Sequence, residues 1–258
     1  MRAFRLLASA ALTQFRLSTR DIEILVPILT FPLQTLAAVA ILVEAHRGDL
    51  AGYALTASVL FTIGQMGLSI SSEIVAQDRR LQLLELLVAS PSPYVLLLAG
   101  RALVVTAFGC LGFAEGWLII RFVFGIDVVI FHPVLLAASL GMTVLAATGT
   151  AIVTAALFSL ARSTRTFQNA VNGPFYLLGG ILVPVAYLPA WAQAASPLIY
   201  FFWAADLVRD SLRAGPVAGA GLKLAALAAL ALFAALAGAF VLRRMLDKLR
   251  RDGRLGLI

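Results

Sequence analysis

The chain has 258 residues, of which 61% are hydrophobic and only 13% charged, about half the charge of an ordinary soluble domain. That leaves too little polar surface to coat a water-soluble globule, so lipid must serve as part of its solvent. The formal charge of +7 does not mark a nucleic-acid binder, because the basic residues flank long apolar runs where headgroups and loop topology account for them. One cysteine, Cys110, excludes an intrachain disulfide, and His46 and His132 lack ligand spacing, so no metal site is expected.

In chain order, residues 1–22 read as an amphipathic helix lying in the inner membrane interface. Phe4, Leu7, Ala8, Ala11, Leu12 and Phe15 recur at helical spacing, and Arg2, Arg5, Arg16 and Arg20 interrupt the run too often for a cleavable signal. Six stretches are long and apolar enough to span: Ile24–Val43, Tyr53–Ser72, Leu103–Phe124, Pro133–Ala161, Phe167–Pro184 and Leu222–Leu242. Unalternating runs of this length are helices, since an open sheet cannot cross lipid. The expected fold is therefore an all-α integral membrane domain covering 1–258, with six transmembrane helices. No soluble domain, linker or repeat is apparent.

With the N-terminus in the cytoplasm, 15 of the 20 Lys and Arg fall inside, leaving Arg47, Arg121, Arg209, Arg213 and Lys223 outside. Both termini are expected in the cytoplasm. Segment 73–93 is then cytoplasmic yet leucine-rich. Leu81, Leu84, Leu87 and Val88 share one helical face, Asp78, Arg79, Gln82 and Glu85 point elsewhere, and the Ser-Pro-Ser-Pro run at 90–93 ends the helix. Segment 183–211 carries Tyr187, Trp191, Tyr200, Phe201, Phe202 and Trp203, broken by Pro184, Pro189 and Pro197. It is too broken for one span and too apolar for a free loop, and reads as re-entrant helices with aromatics at headgroup level. Gly64, Gly67, Gly141 and Gly149 suit close helix packing.

Conventional catalysis has no foothold. The chain lacks a phosphate-cradling G-x-x-x-x-G-K-[ST] loop, a G-x-S-x-G elbow and an H-E-x-x-H pair. Glu115 is the clearest ionisable residue inside a span, a candidate for a substrate path or a packing carboxylate paired with a residue such as Arg209. Gln168 and Asn172, one helical turn apart with Asn169 beside them, could line a path or bridge helices. So few buried charges argue against ion-gradient coupling.

The run Asp78-Arg79-Arg80-Leu81-Gln82-Leu83-Leu84-Glu85-Leu86-Leu87-Val88-Ala89-Ser90-Pro91 resembles the signature of the type-2 ABC exporter permeases. Asp78 and Arg79 match its acidic–basic start, Glu85 its glutamate and Pro91 its proline, while Gln82 and Leu83 stand where the family has Gly-Thr. Arg101 falls where the family often has a lysine. Pro184, Leu188, Pro189, Trp191, Pro197, Tyr200 and Arg209 are similar to the family's outer pattern. The resemblance implies a non-enzymatic permease subunit in the plasma membrane, the bacterial inner membrane. It would pair with a second copy or a related permease and bind cytoplasmic ABC ATPase subunits, with ATP and magnesium held on those partners and no cofactor here. It makes Asp78, Arg79, Arg80, Glu85 and Pro91 the ATPase-coupling residues. Glu115, Gln168 and Asn172 are the candidate translocation path, and Pro189, Trp191 and Trp203 the outer gate or interface. The implied activity is export of a hydrophobic or lipid-linked cargo: drugs, antibiotic peptides, lipid-linked glycans and haem-related molecules are all open. The alternatives are a secondary transporter driven by an ion gradient and an assembly subunit without transport.

Overall fold

A computed structural model describes residues 2–19, 22–83, 86, 93–158 and 164–251. Every regular element among them is helical: α1 Arg2–Ser18, α2 Ile22–Glu44, α3 Ala51–Gly64, α4 Ser72–Arg80, α5 Tyr94–Phe108, α6 Leu111–Phe122, α7 Pro133–Phe158, α8 Thr164–Leu178, α9 Ala190–Ala195, α10 Tyr200–Ser211 and α11 Ala220–Arg251. A π-helical stretch, Gln65–Ser71, joins α3 to α4, so 51–80 is one helical rod.

Four helical stretches are long and apolar enough to cross a membrane: Gly48–Val75, Tyr94–Phe122, Pro133–Leu157 and Ala220–Lys248. In α2 the segment Leu33–Glu44 is a shorter apolar helix. The expected span Leu103–Phe124 starts earlier, at Tyr94, and is broken into α5 and α6 at Gly109 and Cys110. The break coincides with a close crossing, since a Cβ on Gly109 would lie 2.5 Å from the Ile63 Cα. Gly112 and Gly116 continue the contact toward Thr62 and Leu55, so a small-residue stripe on α6 seats against α3.

The expected span Phe167–Pro184 ends earlier in the structure. Helix α8 stops at Leu178 because the chain there forms a Schellman turn. Gly180 adopts φ +68, its N–H bonds to the Leu177 carbonyl at 3.1 Å, and the Ile181 N–H bonds to Tyr176 at 3.2 Å. The described part of α8 is 15 residues long, about 22 Å. The chain then packs back against α8. Phe201 in α10 packs on Tyr176 with ring centroids 5.9 Å apart, while Arg209, two turns later, bonds the Gly180 carbonyl at 2.7 Å.

The expected helix over 73–93 is also divided. Residues 72–80 extend the rod of the second span, α4 ends at Arg80, and Gln82 takes the left-handed φ of 56. Residues 83 and 86 are helical again, and the rest of that segment lies outside the described residues.

Packing follows composition. Phe201, Leu60, Ile63 and Leu207 are fully buried where α3 meets α7 and α10. Helices α7 and α11 pack along their length, with Gly149 and Gly238 letting the backbones meet. Of the glycines expected to mediate contact, Gly64, Gly67 and Gly149 do so and Gly141 has open space around it.

Candidate functional site

Two polar clusters interrupt the apolar packing. The first lies where α4 leaves the bundle. Asp78 is buried at 2% exposure, and its carboxylate accepts hydrogen bonds from Arg101 Nη1 at 2.8 and 2.7 Å and from the Tyr94 hydroxyl at 2.9 Å. Arg101 Nε in turn donates to Gln14 Oε1 at 3.0 Å, and Gln14 Nε2 to Ser18 Oγ at 3.3 Å. The cluster ties the amphipathic helix α1, the end of α4 and α5. Helix α1 can approach because residue 100 is glycine: a Cβ there would lie 2.6 Å from the Leu7 carbonyl oxygen. Phe15 stacks on Phe108 at 5.6 Å on the same crossing. A buried ion pair of this kind holds geometry more than it adds stability, since desolvation offsets much of the attraction.

Of the expected coupling residues, Asp78 thus faces inward and is committed to the chain's own Arg101 and Tyr94. Arg79 and Arg80 form the last turn of α4. Glu85 and Pro91 lie outside the described residues. Just past Arg80, Leu81, Leu83 and Leu86 are 61%, 42% and 69% exposed.

The second cluster centres on the π-helical stretch. Gln65 Oε1 accepts from Ser69 Oγ at 3.2 Å and from the Tyr176 hydroxyl at 3.1 Å. Asn172 Nδ2 donates to Ser69 Oγ at 3.0 Å, and Gln168 Nε2 to the Ser69 carbonyl at 3.4 Å. The sequence flagged Gln168 and Asn172, and the structure brings them together on one serine. It missed Gln65, Ser69 and Tyr176. A π turn puts an extra residue into the helical ladder, and such turns recur at functional sites. Beside this cluster, an apolar cavity of about 390 Å³ is lined by Leu68, Thr150, Thr154, Phe175, Tyr200 and Phe233 among others.

Glu115 joins neither cluster. It is half-buried on α6, on the helical stripe of the exposed Leu111, Leu118 and Phe122, and forms no hydrogen bond or ion pair among the described residues. The pairing with a residue such as Arg209, one of the alternatives open from the sequence, does not form among the described residues. Arg209 lies over the Tyr53 ring at 4.8 Å and donates to the Gly180 carbonyl, and burial pushes its guanidinium below the ordinary arginine value. Pro189 caps α9, its carbonyl accepting the N–H groups of Ala192 and Gln193 at 2.9 and 3.0 Å. Trp203 donates to the Pro197 carbonyl at 2.9 Å, whereas Trp191 is 71% exposed. Among the described residues, no group of His, Cys, Asp and Glu could hold a metal ion.

The profile of the ABC-2 type transporter family matches residues 8–212. The chain belongs to that family. The match runs from α1 through α10, so it contains both polar clusters and the segment between α8 and α11. As an ABC-2 family member it is a multi-pass transmembrane component of an ABC transporter. A comparison with curated proteins returns no match.

Proposed function

We propose that this chain is the permease of an exporter that moves a hydrophobic or lipid-linked cargo out of the cytoplasm, working as a pair and driven by a separate ABC ATPase. The observation that carries the reading is the join between the exposed leucines past Arg80 and the buried Asp78–Arg101 pair directly behind them. An ATPase docked on segment 81–91 would push against a short lever. Through Asp78 and Arg101 that push reaches α1, α4 and α5 together, because all three contribute to one hydrogen-bonded cluster. Helix α4 continues into the π-helical stretch, where an irregular ladder is easier to rearrange than a regular one. Ser69 there meets Gln168 and Asn172, so a shift of α4 is felt by α8. ATP binding and hydrolysis would then bias two arrangements of the spans, as any ligand shifts a conformational equilibrium by its differential affinity. The apolar lining of the cavity beside Leu68 suits a hydrophobic cargo. Arg79 and Glu85 carry the register of the contact. The test is their joint charge reversal, Arg79→Glu with Glu85→Arg. Binding of the ATPase subunit, or coupling of hydrolysis to cargo movement, should fall while insertion and folding persist. A variant that assembles and transports like the parent removes these two residues from the interface.

A further inference from the structure

At the end of the bundle opposite the Asp78 cluster lies a second cavity, of about 250 Å³, roughly eight water volumes. Tyr53, Asp206, Arg209, Arg213 and the Gly180 turn line it. Tyr53 stands between the two guanidiniums: Arg209 lies over its ring, and Arg213 Nη2 donates to its hydroxyl at 3.2 Å. The nearby carboxylates are already engaged. Lys223 reaches Asp206 at 2.8 Å and Asp210 at 2.6 Å, and Arg213 approaches Asp210 at 3.8 Å. Arg209 is left without an ion pair among the described residues, and its Nε–H is buried with no acceptor. A guanidinium offers five N–H donors, and Asp206, the carboxylate whose charge reaches the partly buried Arg209, is shared with Lys223 and compensates it only in part.

We propose that this cavity binds a phosphate-bearing anion, with Arg209 as the principal counter-charge and Arg213 closing the open side. Planar forked donors suit phosphate oxygens, and the cavity has room for a glycerophosphate-sized group. Two sources share that chemistry: the headgroup of an anionic phospholipid and a free phosphorylated molecule. The full-length chain in phosphatidylcholine nanodiscs separates them. One arm titrates phosphatidylglycerol into the nanodisc lipid, and the other adds soluble glycerol phosphate to nanodiscs of phosphatidylcholine alone. Native mass spectrometry counts the bound molecules. Saturable binding of one phosphatidylglycerol per chain, weakened about tenfold by Arg209→Gln, supports the lipid source. The same pattern with glycerol phosphate assigns a free phosphorylated ligand. Should Arg209→Gln fail to fold, Arg213→Gln changes an exposed side chain and should still weaken binding several-fold. Binding that neither variant alters, or none of either probe, overturns the proposal.

Discussion

Removing the Asp78 carboxylate tests the inward-facing cluster most sharply. Asp78→Ala leaves the largely buried Arg101 guanidinium (20% exposed) without its partner and the Tyr94 hydroxyl without its acceptor. Breaking one side of a buried ion pair costs about 3–5 kcal/mol, and Arg101→Met, which strands a carboxylate only 3% exposed, should cost as much. Simple addition of the two would give roughly 6–10 kcal/mol. The double variant should lose only about 2–4 kcal/mol, because no uncompensated charge remains and the residual cost is the orphaned Tyr94 hydroxyl and Gln14 amide. Reversible unfolding in mixed micelles, followed by tryptophan emission and circular dichroism, measures all three. Additivity within about 0.5 kcal/mol would show that the two side chains do not act as a pair and would refute the reasoning.

Gln82 has the left-handed φ of 56, where a side chain costs about 1 kcal/mol, so Gln82→Gly should be neutral or stabilising and Gln82→Val destabilising in the same unfolding assay. Gly100→Leu forces α1 off α5 at the Leu7 carbonyl; trypsin should then cut at Arg16 faster in reconstituted vesicles, and unchanged cleavage would mean α1 is not seated there. Ser69→Ala removes the hydroxyl shared by Gln65 and Asn172, and a loss of about 1–3 kcal/mol is expected, against no change if the π-helical cluster is not formed.

Hydropathy made most of the spans legible, because length and apolarity are all a span requires. It overran the end of α8, where Gly179-Gly180 followed by Ile181-Leu182-Val183 reads as continuing apolar helix. A paired glycine with Pro184 beyond is also a helix stop, and the φ of Gly180 shows that the stop wins. The amphipathic pattern of residues 1–22 gave α1 but not what its polar face does. Gln14 on that face points at Arg101, a residue 87 positions away that no local periodicity can reveal. Asp78 and Arg79 read alike as surface charges of one short helix. Asp78 turns inward because α4 is the tail of a span, so one of its faces still looks into the bundle. Gln168 and Asn172 were found because amides at one-turn spacing stand out in an apolar helix. Ser69 and Gln65 do not stand out, and the π geometry that brings them together leaves no sequence mark. The left-handed Gln82 does have a trace in the sequence: it occupies the position where the resembled signature carries glycine.

The central claim is that the segment just past α4 receives a separate ATPase. A photo-crosslinking amino acid placed at Leu86, 69% exposed, in the full-length chain in native membranes tests it directly. One dominant adduct is expected, identified by mass spectrometry as an ABC ATPase, whose yield changes when ATP is replaced by a non-hydrolysable analogue. Adducts to lipid alone, with cargo movement that follows an ion gradient and ignores ATP, would contradict it.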